Sequence, residues 1–139
     1  MLRGEQGNLD EARKYFAKAL KVYPRSAPAA FNLCVLDAEA NWKKAKPMCE
    51  RAWKLQPKDP KYAYTLAFYQ HRAGRTPSAI KTLEIIIKND PSHGGVYALL
   101  AQMYTERSQL DKVQSVYRAG AANSNLPPAD RARFAAQLQ

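Results

Sequence analysis

An all-α solenoid of stacked antiparallel helix pairs is the fold this sequence predicts, and three observations predict it. Pro24, Pro57 and Pro91 recur at a period of about 34 residues. Ahead of each stands one small-and-large pattern: Ala12-x3-Phe16-x2-Ala19-Leu20, Ala45-x3-Cys49-x2-Ala52-Trp53 and Ala79-x3-Leu83-x2-Ile86-Ile87. A weaker fourth copy, Val113-x3-Tyr117-x2-Gly120-Ala121, follows one further period on. Residues at these spacings share one helix face, and such a period describes a helical hairpin that buries its apolar side only against its neighbours.

The elements follow in order. Residues 9–22 read as a second helix, with only Met1–Gln6 left of the helix before it. After Ser26, Pro28 sits in an opening turn that needs no backbone donors, and a first helix runs through Phe31, Leu33, Cys34 and Leu36 to a break near Asn41. Its partner carries Ala45, Cys49, Ala52 and Trp53 and stops before Pro57. Pro47 lies inside that helix and removes a backbone bond, so a kinked or late-starting helix is expected. Asp59-Pro60 opens the next first helix, Ala73-Gly74 closes it, and Thr76-Pro77 is expected to cap its partner. The last pair starts weakly at Gly94-Gly95 and turns near Ser108. Leu126-Pro127-Pro128 then breaks the chain before a short end helix, in which Asp130, Arg131, Arg133 and Gln137 alternate with Phe134 and Leu138. The units are thus a partial repeat at 1–26, repeats at 27–59, 60–93 and 94–127, and a capping helix at 128–139. The array opens in mid-repeat, which predicts an upstream continuation or pairing with another copy at that end.

At 139 residues the chain has the length of one domain, and no apolar run approaches the ~20 residues of a membrane span. The first seven residues lack the apolar core of a secretory signal. Net charge is +10, spread along the chain rather than gathered in a tail, and favours acidic partners. Short side chains have a packing role: Ala12, Ala45, Ala79, Ala19 and Ala52 on second helices, with Ala67 and Ala101 on first helices, let neighbouring helices approach closely.

These residues resemble the tetratricopeptide repeat family over nearly the whole chain. Tyr97-x2-Leu100-Ala101-x2-Tyr104 matches the first half of its pattern, and Gly7-Asn8-Leu9-Asp10-Glu11-Ala12 through Tyr23-Pro24 matches the second. The first full unit is a residue short and has Ala40-Asn41 in place of the turn glycine. Ala63 and Gln70 replace aromatics, and Asn125 replaces the closing proline. The resemblance implies a right-handed superhelix whose concave wall, lined by first helices, holds a peptide or protein segment.

On that wall the expected contact residues are Phe31, Asn32 and Val35, then Lys61, Tyr64, Phe68, His71 and Arg72, then Gln102, Thr105 and Glu106. The family's carboxylate clamp is absent, since Phe31 stands where the resemblance would place a lysine and Val35 or Cys34 where it would place an asparagine. An aromatic groove with cationic and polar edges suits an extended segment with apolar anchors, although any one of these aromatics equally fits a helix-packing role. On the second helices Lys14 with Lys81, Lys18 with Arg51, and Lys21 with Lys54 and Lys88 share repeat positions. They would form a convex basic ridge for nucleic acid or an acidic partner; a solvated face is the stronger reading, and nucleic acid the disfavoured partner.

Cys34 and Cys49 lie symmetrically about the turn near Asn41, so an antiparallel pair brings them opposite each other. The sequence leaves open a disulfide, with a periplasmic or secreted home, and two buried thiols in the cytoplasm. No metal-ligand set, haem motif or phosphate loop occurs, and His71 and His93 are lone, so neither cofactor nor catalysis is expected.

Overall fold

The computed structural model describes residues 3–139, with side chains from Gly7 onward. The described residues form eight α-helices and no strand. These are α1 (Arg3–Val22), α2 (Ala27–Ala38), α3 (Trp42–Leu55), α4 (Pro60–Arg72), α5 (Thr76–Asn89), α6 (Gly94–Glu106), α7 (Leu110–Ala122) and α8 (Pro128–Ala135). Every substantial helix–helix contact joins consecutive helices, most extensively in the pairs α2–α3, α4–α5 and α6–α7. The core is accordingly a string of clusters. One joins Leu20 to Ala30, Leu33, Ala52 and Tyr62; another joins Ala63 and Ala67 to Leu83, Leu100, Met103 and Val113. The alanines sit where helices cross: Ala30, Ala45, Ala67, Ala79 and Ala101 are 0% exposed.

Helix starts follow local chemistry. Ser26 Oγ accepts from the Ala29 amide and Asp59 Oδ1 from the Lys61 amide, each ahead of a first-turn proline. Thr76 departs from expectation. It is the first residue of α5 rather than its cap, and its hydroxyl lies 3.0 Å from His71 Nδ1 instead of serving the backbone. Pro47 neither delays α3 nor interrupts it. The Asn41 side chain accepts from the Lys44 amide and fixes the start at Trp42. Pro47 and Lys43 are both exposed, so water can satisfy the Lys43 carbonyl that loses its donor.

The break expected at Gly7-Asn8 is likewise absent, because α1 runs on through both. Nothing crowds the Gly7 backbone, so no neighbouring element forces a turn there. The turns between paired helices diverge for a backbone reason. Gly74 (φ +81°) and Ser108 (φ 57°) occupy the same position in successive repeats, and both are left-handed. The α2–α3 turn at 39–41 has the same length but contains no such residue, and it is α2 that is one residue shorter than α4 and α6. Ser108→Gly is therefore expected to raise stability by about 0.5–1 kcal/mol in urea unfolding, and a loss would contradict the strain assigned to that turn.

The C-terminal end is sealed by α8. Phe134 is buried against Tyr97 and Tyr117, with ring centroids at 5.9 and 6.1 Å. A Cβ on Gly120 would stand 2.6 Å from the Phe134 ring, and one on Gly94 2.7 Å from Asp130. Both glycines are seats for the end helix. Asn123 donates to the Pro91 carbonyl and the Tyr97 hydroxyl, tying this end to the preceding turn. Leu138 lies past the end of α8 and is exposed, so Phe134 is the buried apolar side chain that anchors that helix to the stack.

Candidate functional site

The first helices α2, α4 and α6 turn one face to the core and the other to solvent, and most of the residues expected to meet a partner lie toward the second face, in three groups. Lys61 begins α4 and lies over two rings at once, with Nζ 5.2 Å from the centroid of Phe31 and 5.0 Å from that of Tyr62. Phe31 and Tyr62 pack at 5.2 Å, so an aromatic pair bridges α2 and α4 with a cation above it. Asn32 is half-buried beside this pair, and Val35 is exposed one turn on.

The second group centres on Phe68, which packs edge-on against Tyr69 and carries the Arg72 guanidinium 5.6 Å over its ring. Arg72 Nε also lies 2.9 Å from Glu39, at the C-terminal end of α2. Both partners are half-exposed, so the pair adds little stability, but it orients the arginine. In the third group His71 Nε2 lies 2.7 Å from Glu106, and Gln102 donates to the same carboxylate at 3.4 Å.

Two residues expected on the wall are committed elsewhere. Thr105 donates its hydroxyl to the Ala101 carbonyl of its own helix. Tyr64 is half-buried and packs against the α4–α7 cluster, the helix-packing role that the sequence left open. Glu39, which pairs with Arg72, did not stand out in the sequence, and Tyr62, buried in the core, backs Phe31. The signal for Glu39 was its register, since Glu39, Arg72 and Glu106 recur once per repeat and alternate in charge.

On the second helices Lys14, Lys18, Lys21, Lys54, Lys81 and Lys88 are exposed. Arg51 leaves the ridge: it is half-buried and donates to the Pro24 carbonyl at 2.7 Å, joining α3 to the preceding turn. A groove of about 560 Å³ lies among α5, α6 and α7, floored by Tyr97, Leu100 and Tyr104 and rimmed by Glu84, Lys88 and Lys112. Burial, and after it the charge and hydrogen bonding of Glu84, hold the Tyr104 phenol above its ordinary pKa.

Cys34 and Cys49 form a disulfide across α2 and α3, with Cα atoms 4.8 Å apart. Both are buried, beneath Trp42, Met48, Trp53 and Tyr69. Among the described residues no three His, Cys, Asp or Glu side chains gather to hold a metal ion. No described helix is long and apolar enough to cross a membrane.

Comparison with known proteins agrees with this architecture. Two tetratricopeptide repeat profiles match the sequence, at residues 1–36 and 36–103. No curated protein matches it. The solved structures MamA MSR-1 C2 and MamA AMB-1 P212121 superpose with TM-scores of 0.66 and 0.68 at 16% and 17% identity. Each match covers 83% of this chain, and 67% and 63% of theirs, so the chain spans about two thirds of those proteins; at such identity the likeness concerns the fold alone. The all-α stack of antiparallel pairs and the two matching profiles together make the chain a member of the tetratricopeptide repeat family, whose arrays are helical-repeat scaffolds for protein interaction.

Proposed function

We propose that this scaffold is non-catalytic and binds an extended peptide or protein segment on the wall formed by α2, α4 and α6. The units would divide as 1–26, 27–59, 60–93, 94–127 and 128–139. The observation that carries the reading is Lys61, an exposed cation held over the half-buried Phe31 ring where two successive first helices meet, with the buried Tyr62 ring behind it. Such a group offers an apolar seat beside a positive charge. Arg72 and His71 already face carboxylates, whereas the ring neighbours of Lys61 leave its charge for a ligand. A segment with an aromatic or aliphatic anchor flanked by an acidic residue fits best, in keeping with the net charge of +10. The disulfide supports an oxidising home for the scaffold.

Peptides selected from a displayed library on the immobilised chain supply the test. Lys61→Ala combined with Phe68→Ala is expected to weaken such peptides by about 2 kcal/mol, roughly 30-fold, with unchanged helicity. Unchanged affinity in titration calorimetry would remove this wall from the function.

A further inference from the structure

Between the second helices α3 and α5 lies a cavity of about 560 Å³, lined by Trp42, Lys43, Lys46, Gln70, Arg75 and Ser78. Its lining holds three cations and no carboxylate. Lys43, Lys46 and Arg75 are exposed, and among the described residues none of them makes an ion pair. The neighbouring Lys44, by contrast, reaches Asp37 at 3.9 Å. Glu50, one turn beyond Lys46, lines the adjoining cavity instead. Gln70 accepts from the Thr82 hydroxyl at 2.9 Å through its carbonyl oxygen, which leaves its amide nitrogen as a donor. The start of α5, which no side chain caps, adds partial positive charge beside Ser78.

Packing does not account for these cations. One repeat later the same positions hold Thr76, Pro77, Ile80, Tyr104, Gln109 and Lys112, a single cation among six. Trp42 is half-buried and packs on the cluster that contains Cys34 and Cys49, so its indole is a fixed apolar wall of the cavity.

We propose that this cavity binds a soluble phosphate monoester, its phosphoryl oxygens among Lys43, Lys46 and Arg75 and its apolar body along the Trp42 indole. A phosphoryl group carries nearly two negative charges and three strong acceptors at neutral pH, and so matches three cations better than one carboxylate does. Arg75 offers a planar fork of donors and the lysines act as point charges. The cations line a recess between helices rather than a flat face, which suits a soluble ester. None of the six residues belongs to the first-helix wall, so the site stands or falls independently of peptide binding.

Titration calorimetry of the 139-residue chain with phenyl phosphate tests the site. A dissociation constant on the order of 100 µM is expected, with inorganic phosphate and benzoate each about tenfold weaker. Lys43→Gln, Lys46→Gln and Arg75→Gln should each weaken phenyl phosphate by about fivefold, with helicity by circular dichroism unchanged. Arg25→Gln removes an equally exposed cation from the α1–α2 turn, away from the cavity, and should leave the affinity as it was. An equal loss from Arg25→Gln would reduce the binding to general attraction by the net charge and overturn the proposal. So would benzoate or inorganic phosphate binding as tightly as phenyl phosphate, or no binding at all. Capture of the chain by phosphatidylcholine vesicles doped with phosphatidic acid, lost in Lys46→Gln, would replace the soluble ester by a lipid headgroup and overturn it too.

Discussion

Phe134→Ala is expected to destabilise the chain by about 3–5 kcal/mol, measured by urea unfolding followed through helicity. The ring is 2% exposed and is the chief apolar anchor that holds α8 on the stack. Its removal exposes Tyr97, Leu126 and the flank of Tyr117 together, because all three pack in one cluster with that ring. Gly120 supplies an internal control. In the native chain Gly120→Ala forces a methyl against the Phe134 ring and should destabilise, reversing the usual helical preference for alanine. In the Phe134→Ala background the same change should become neutral or stabilising by up to about 1 kcal/mol. If Gly120→Ala behaved identically in both backgrounds, the seat described for α8 would be wrong.

Replacing Cys34 and Cys49 together by alanine is expected to cost about 3 kcal/mol. The bridge closes a loop of sequence separation 15, and the unfolded hairpin gains the freedom that this closure denies it. The effect belongs to α2 and α3, which would unfold at lower denaturant than the α4–α7 segment, so the two transitions should separate. The bonded state has its own direct check. Thiol titration of the denatured, unreduced protein should find no free cysteine, and two titrating thiols would contradict the bridge.

Much of the architecture is legible in the sequence because its period is written in residues with few alternatives. Prolines at 24, 57 and 91 cannot continue the helices before them, and the alanines ahead of them are small for reasons of packing. What escaped reading depends on contacts between distant positions. Gly94 and Gly120 look like weak points in two helices until Asp130 and Phe134 are seen to lie on them. Thr76 looks like a cap because its dipeptide usually is one, but His71, five residues earlier, takes its hydroxyl. Arg51 and Arg72 have the same spacing logic as their basic neighbours, and the Pro24 carbonyl and Glu39 that claim them lie in adjacent turns. The wall was legible as a face but not as a set of pairings, since side-chain partners depend on the tilt between successive helices.

A chain whose helices lean only on those before and after them behaves mechanically like a row of clasps rather than a knot. Tension or protease at one tip opens the adjoining clasp and leaves the rest shut. The cystine makes one clasp permanent, so fraying that starts at α1 halts there, while fraying from α8 proceeds through α7 and α6 unopposed. Amide exchange should accordingly be fastest at both tips and slowest around Cys34 and Cys49.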